Sequence, residues 1–146
     1  MNSTPAMRFV DTNILLYSVS TEPAESGKAA TAQALLACRD LVLSVQVLQE
    51  FYVQATRPSR PDPLTHDEAV TLIRVWRRFP VQDMTLALLD DALDIKSRYQ
   101  LSYWDSAIIA AARATSSTEL LSEDMNPGQN YAGVTVRNPS AKLAHA

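Results

Sequence analysis

One cysteine, two histidines and three lysines are all that this 146-residue sequence holds of those types. The lone Cys38 excludes an internal disulfide, and in "QALLACRD" it reads as an inert thiol at a helix end. His66 has no cysteine or second histidine nearby, which excludes the usual spacing of a zinc site and leaves a surface residue. No apolar run approaches the roughly 20 residues that cross a bilayer. The opening "MNSTPAMRF" shows neither the basic nor the apolar region of an export signal. A reducing cytoplasm is the expected location. Length and an ordinary 47% hydrophobic share suit a single domain spanning 1–146, with 1–6 a loose leader and 139–146 a flexible tail.

Positive charge is also scarce. The formal net charge is −3, so no global basic field points to nucleic acid. Ten of the thirteen basic residues are arginine, however, and five fall between Arg57 and Arg78 against Asp62, Asp67 and Glu68. Arg57, Arg74, Arg77 and Arg78 are candidates for gripping phosphates. A solvated face of helix and loop explains them equally well.

What is present is an alternation of short apolar strands and amphipathic helices. Strands are expected at 8–10, 41–44, 80–82, 118–122 and 133–137. Helices are expected at 12–19, 28–39, 45–57, 66–78, 86–99 and 103–114. Ser44, Thr65 and Ser102 supply caps, and Glu68 completes a capping box with Thr65. Pro58, Pro61 and Pro63 forbid regular structure in "RPSRPDPLT". The alternation predicts an α/β fold, a three-layer α/β/α sandwich around a mostly parallel sheet. Such sheets bind ligands beyond the carboxyl ends of their strands. Asp11, Ser44 and Ser122 all fall at such ends.

Four carboxylates stand out against this frame. In "FVDTNILLY" Asp11 interrupts an apolar stretch where a strand gives way to a helix. A helix cap suffices to explain that stretch by itself. Asp105 heads a stripe of Ile108, Ile109 and Ala112, where an unpaired charge tends to be buried at a cost of several kcal/mol. A capping box with Ser102 accounts for its spacing but not for its place on the stripe. Glu50 lies roughly 60° outside Val47, on the border of its helix's core face. Asp124 follows a strand in "LLSEDMNPG", where turns favour aspartate. Four acids converging on one edge would repel unless protonated or bound to a cation. With no cysteine or paired histidine, the donors are oxygen alone, which suits Mg²⁺ or Mn²⁺.

The stretches "FVDTNILLY", "LSVQVLQEFYV", "LSYWDSAIIAAA" and "LLSEDMNPGQNYAGV" together resemble the PIN-domain ribonucleases, particularly the toxins of VapBC-type toxin–antitoxin pairs. They cover the chain from Phe9 to about Pro139. The resemblance places the acidic set on Asp11, Glu50, Asp105 and Asp124, with polar helpers at Thr12, Asn13 and Ser122. It implies a PIN-like sandwich, cleavage of RNA with Mg²⁺ or Mn²⁺, a homodimer, and a small antitoxin protein that blocks the site. The metal would rest on Asp11 and Asp105, with help from Glu50 or Asp124. One departure is "RATSSTELL", which lacks the glycine expected to stop its helix.

Rival readings are weaker. An aspartyl-phosphate phosphatase wants a second aspartate where Asn13 stands, and a receiver domain wants a late lysine that has no counterpart here. A catalytically silent interaction domain would have no need of the full acidic set.

Overall fold

The computed structural model describes residues 6–140. Its first strand, β1 (Met7–Val10), runs into α1 (Thr12–Ser18), then a 3-10 turn at Pro23–Glu25 and α2 (Ser26–Leu36). β2 (Leu41–Ser44), α3 (Val45–Ala55) and α4 (His66–Trp76) follow, then the two-residue β3 (Val81–Gln82). α5 (Leu86–Tyr99) and α6 (Tyr103–Ala114) lead into β4 (Ser117–Leu121), β5 (Asn130–Tyr131) and β6 (Val134–Arg137).

The strands form one six-stranded sheet in the order β3-β2-β1-β4-β6-β5. All neighbours are parallel except β5 and β6. The result is the expected mostly parallel sheet flanked by helices. α1 packs on α2 and α3, while α5 pairs with α6, which lies on β2, β4 and β6. Strands covered on both faces must be apolar throughout. Phe9, Val10, Leu41, Val42, Leu43, Leu120 and Val136 are accordingly buried at 3% exposure or less. Trp76 joins this core edge-on to Phe51, with ring centroids 4.7 Å apart.

The chain passes outward from β1 to β2 and β3 on one side, and returns to β4 on the other. This switch in strand order opens a crevice at the carboxyl ends of β1 and β4. Asp11 and Ser122 sit at those two ends.

Several local expectations are corrected. The second helix begins at Ser26, after a 3-10 turn started by Pro23, and ends at Leu36 rather than Arg39. "QNYAG" is not wholly turn, because Asn130 and Tyr131 pair antiparallel with β6. The missing glycine after α6 has a substitute. Ser116 adopts φ +56°, and the Thr115 hydroxyl bonds back to the Ala111 and Ala112 carbonyls. His66 is exposed, bonded to the Tyr52 hydroxyl, and Cys38 is half-buried against the core. Of the expected leader and tail, residues 1–5 and 141–146 lie outside the described residues.

Candidate metal centre

Asp11 decides how the site is read. An N-cap carboxylate reaches over its helix to the second or third N–H. Of its helix's N–H groups, Asp11 instead meets the adjacent Thr12 N–H alone, at 2.7 Å through Oδ1. Its Oδ2 accepts from Ser122 Oγ at 2.8 Å, across the crevice. Ser122 is fully buried and its oxygen also accepts from the Asp124 N–H at 3.2 Å. One serine therefore fixes one acid and the loop that carries another.

All four acids named from the sequence line a single cavity of about 100 Å³. Thr12, Asn13, Gln46, Gln54 and Trp104 share its wall. The acids differ in depth. Asp11 is buried, Asp105 and Glu50 are half-buried, and Asp124 is exposed. Asp105 is thus less buried than its stripe predicts: Ile108, Ile109 and Ala112 are sealed, but the first turn of α6 reaches the crevice. Ser102 Oγ accepts from the Asp105 N–H at 3.1 Å, whereas a reciprocal capping box forms at Thr65 and Glu68 of α4.

Charge in the cavity is strained in the way a cation would relieve. Burial pushes the Asp11 carboxyl up to about 6, and the neighbouring Asp124 and Glu50 charges add to it. The bonds from Ser122 and Thr12 pull the other way. Asp105 is also raised, by burial first and then by Asp124. Thr12 Oγ1, Asn13 Nδ2 and Gln46 Oε1 are buried on the same wall with no partner among the described residues. Unpaired buried polar atoms beside raised carboxyls, with oxygen the principal donor, fit a hydrated divalent cation. In the present side-chain arrangement, no three acidic, histidine or cysteine groups among the described residues stand close enough to share one ion. Like charges keep apart, and the Glu50 carboxylate is drawn aside to Gln46 Nε2 at 2.8 Å.

The family profile of the PIN domain matches residues 8–129, most of the chain and a span within which all four acids fall. The chain belongs to the PIN domain family. Solved structures agree in fold. VapC20 of Mycobacterium tuberculosis, a Sarcin-Ricin loop cleaving toxin, superposes with a TM-score of 0.63 at 22% identity, covering 80% of this chain and 91% of that one. A toxin–antitoxin complex from Klebsiella pneumoniae gives 0.66 at 20%, covering 90% and 97%. FitAB bound to an IR36 DNA fragment gives 0.70 at 20%, covering 91% and 95%. No curated protein matches the chain.

Within this PIN domain, the structure adds residues that the sequence did not announce. Gln46 is buried and joins Glu50 to the Trp104 carbonyl, which it meets at 3.3 Å. Its four-residue spacing from Glu50 is readable on a helix, but the link to Trp104 is not. Glu123, beside Asp124, is paired with Lys28 of α2, and its N–H donates to Asn13 Oδ1 at 3.4 Å. No local signal joins residues so distant in sequence.

The arginines divide. Arg57 is exposed in the loop just past the end of α3, the helix that carries Gln54 and Glu50 to the cavity. Arg74 and Arg77 are exposed near the end of α4. Arg78 donates to the Leu36 carbonyl at 2.6 Å and lies over the Phe79 ring, behind the start of β2. That is the sheet edge opposite Asp11.

Proposed function

We propose that this PIN domain is a Mg²⁺- or Mn²⁺-dependent endoribonuclease, the toxin of a toxin–antitoxin pair, that works as a homodimer and is held inactive by a cognate antitoxin. The observation that carries the reading is the convergence of Asp11, Glu50, Asp105 and Asp124 on one cavity at the switch in strand order. Family membership and the toxins among the superposed structures support it.

Asp11 and Asp105 would hold the ion, completed by Glu50 or Asp124. A divalent cation, when bound, lowers the pKa of a coordinated water and offsets charge on the scissile phosphate. The chain's own residues do the positioning. Ser122 and Thr12 fix both Asp11 oxygens, so one carboxylate enters with no freedom left to lose. Glu50, which accepts from Gln46 Nε2, or Asp124 would orient the attacking water. Asn13 Nδ2, buried without a partner among the described residues, would donate to a phosphate oxygen. The same negative cavity complements a guanidinium, so the antitoxin is expected to insert an arginine among the acids.

The test is cleavage of RNA by the purified chain with Mg²⁺ or Mn²⁺, stopped by EDTA and lost in Asp11→Asn. Expression of the wild type alone should arrest growth, and Asp11→Asn should relieve it. Cleavage that persists in EDTA, or equal arrest by both chains, rejects the reading.

A further inference from the structure

Trp104 is 62% exposed, a costly place for so large an apolar side chain unless a partner covers it. It occupies the first turn of α6, immediately before Asp105, and lines the acidic cavity. Tyr103 meets it in a T-shaped contact, with centroids 5.0 Å apart and planes at 77°. That contact steadies the ring without stacking on it. Its carbonyl accepts from Gln46, which also holds Glu50. The backbone that carries the indole is therefore tied to the side chain that also holds Glu50.

Cavity size says what must lie next to it. About 100 Å³ holds a few waters or ions, a liquid water occupying roughly 30 Å³. Pockets that enclose small molecules start at roughly 300 Å³. A phosphate oxygen can approach the acids, but the flanking nucleobases must remain on the rim, where the exposed aromatic stands. We propose that Trp104 stacks on an unpaired base adjoining the scissile phosphate, so that the site accepts single-stranded or loop RNA and rejects continuous duplex. A base inside a helix has both faces already stacked and offers none to the indole, whereas an unpaired base of any identity can stack. The inference rests on the nuclease reading and names the substrate feature that this site recognises.

The chain's two tryptophans make the test clean, because Trp76 is only 4% exposed and packed on Phe51. In full-length Asp11→Asn, which should not cleave, a single-stranded oligoribonucleotide is expected to quench indole fluorescence to saturation. The same sequence in a duplex should not. Adding Trp104→Ala should weaken single-strand binding about tenfold or more and abolish the quenching, while Trp104→Phe keeps most of the affinity. An abasic nucleotide beside the cleavage position should cost as much in the Trp104 chain and nothing further in the alanine variant. Thermal melts check that both variants remain folded, as the exposure of the side chain predicts. Equal binding by Trp104→Ala and its parent, with RNA still cleaved by wild type, overturns the inference alone. So does a change confined to oligomer mass, which makes Trp104 a chain–chain contact. If wild type neither binds nor cleaves RNA, the nuclease reading falls and takes this inference with it.

Discussion

Ser122 Oγ donates to Asp11 Oδ2 at 2.8 Å, joining residues 111 positions apart at the carboxyl ends of β4 and β1. The bond makes Asp11 more than a helix cap. It also favours the charged carboxylate, partly offsetting the larger pull of burial.

Replacing that serine is therefore expected to act through Asp11. Ser122→Ala should cost about 1–3 kcal/mol of stability at pH 8, the usual range for a lost bond to a charged group. It should also raise the Asp11 pKa and move the acidic limb of the pH–rate profile upward. Chemical denaturation and an activity profile from pH 5 to 9 check both. An unmoved acidic limb would mean that Ser122 only packs.

The Asp11 pKa carries a stability consequence with a definite sign. Folding raises it from 3.8 to about 6, so the folded chain binds this proton more tightly than the unfolded one. The associated stabilisation is complete below about pH 4 and is lost as pH rises through about 6. It amounts to about 3 kcal/mol at most. Asp40 and Glu123, which are lowered, act with the opposite sign. The difference between wild type and Asp11→Asn, measured in EDTA by denaturant titration, isolates the one group. The variant should gain on wild type between pH 4 and 7. A pH-independent difference contradicts the assignment.

Much of this architecture was legible in the sequence. Ser44, Thr65 and Ser102 each cap the helix they were expected to cap, because a cap depends only on neighbours along the chain. Asp11 and Asp124 stood out because they follow strand ends, and Asp105 because it heads an apolar stripe, whereas Glu50 alone reads as an ordinary flanking glutamate. Asn130 and Tyr131 were not legible as a strand, since two residues have no period and their pairing depends on the turn at Ala132 and Gly133. Nor was the openness of Trp104 legible, since it lies on an amphipathic helix whose other large apolar side chains are buried. Gln46 to Trp104 and Lys28 to Glu123 are tertiary contacts without a local trace.

Ser116 offers a test of the backbone itself. It is exposed and holds φ +56°, a left-handed conformation that glycine adopts without penalty and a β-branched residue resists. Ser116→Gly should leave the melting temperature unchanged or raise it slightly, since relief of strain offsets the greater freedom of the unfolded chain. Ser116→Val should cost about 1–2 kcal/mol. Equal melts for the two variants would contradict the turn.

The arginines should separate in their salt dependence. Arg57→Gln is expected to lower the slope of log K against log salt for RNA binding by about one. Arg78→Gln should leave the slope unchanged and lower stability instead, because its guanidinium serves the Leu36 carbonyl. Arg74 and Arg77 test how far the RNA path extends past α3. An unchanged slope for Arg57→Gln would make that residue part of a solvated face.

The central claim is that the four acids are one divalent-cation site, and thermal melts of wild type and Asp11→Asn in EDTA and in millimolar Mn²⁺ or Mg²⁺ test it most directly. Wild type should melt below the variant in EDTA, because removing one buried like charge relieves the others. Added cation should stabilise wild type by about 2.7 kcal/mol at a hundredfold excess over Kd, and the variant by much less. Two chains whose melts shift identically with metal would return Asp11 to the role of a helix cap and contradict the claim.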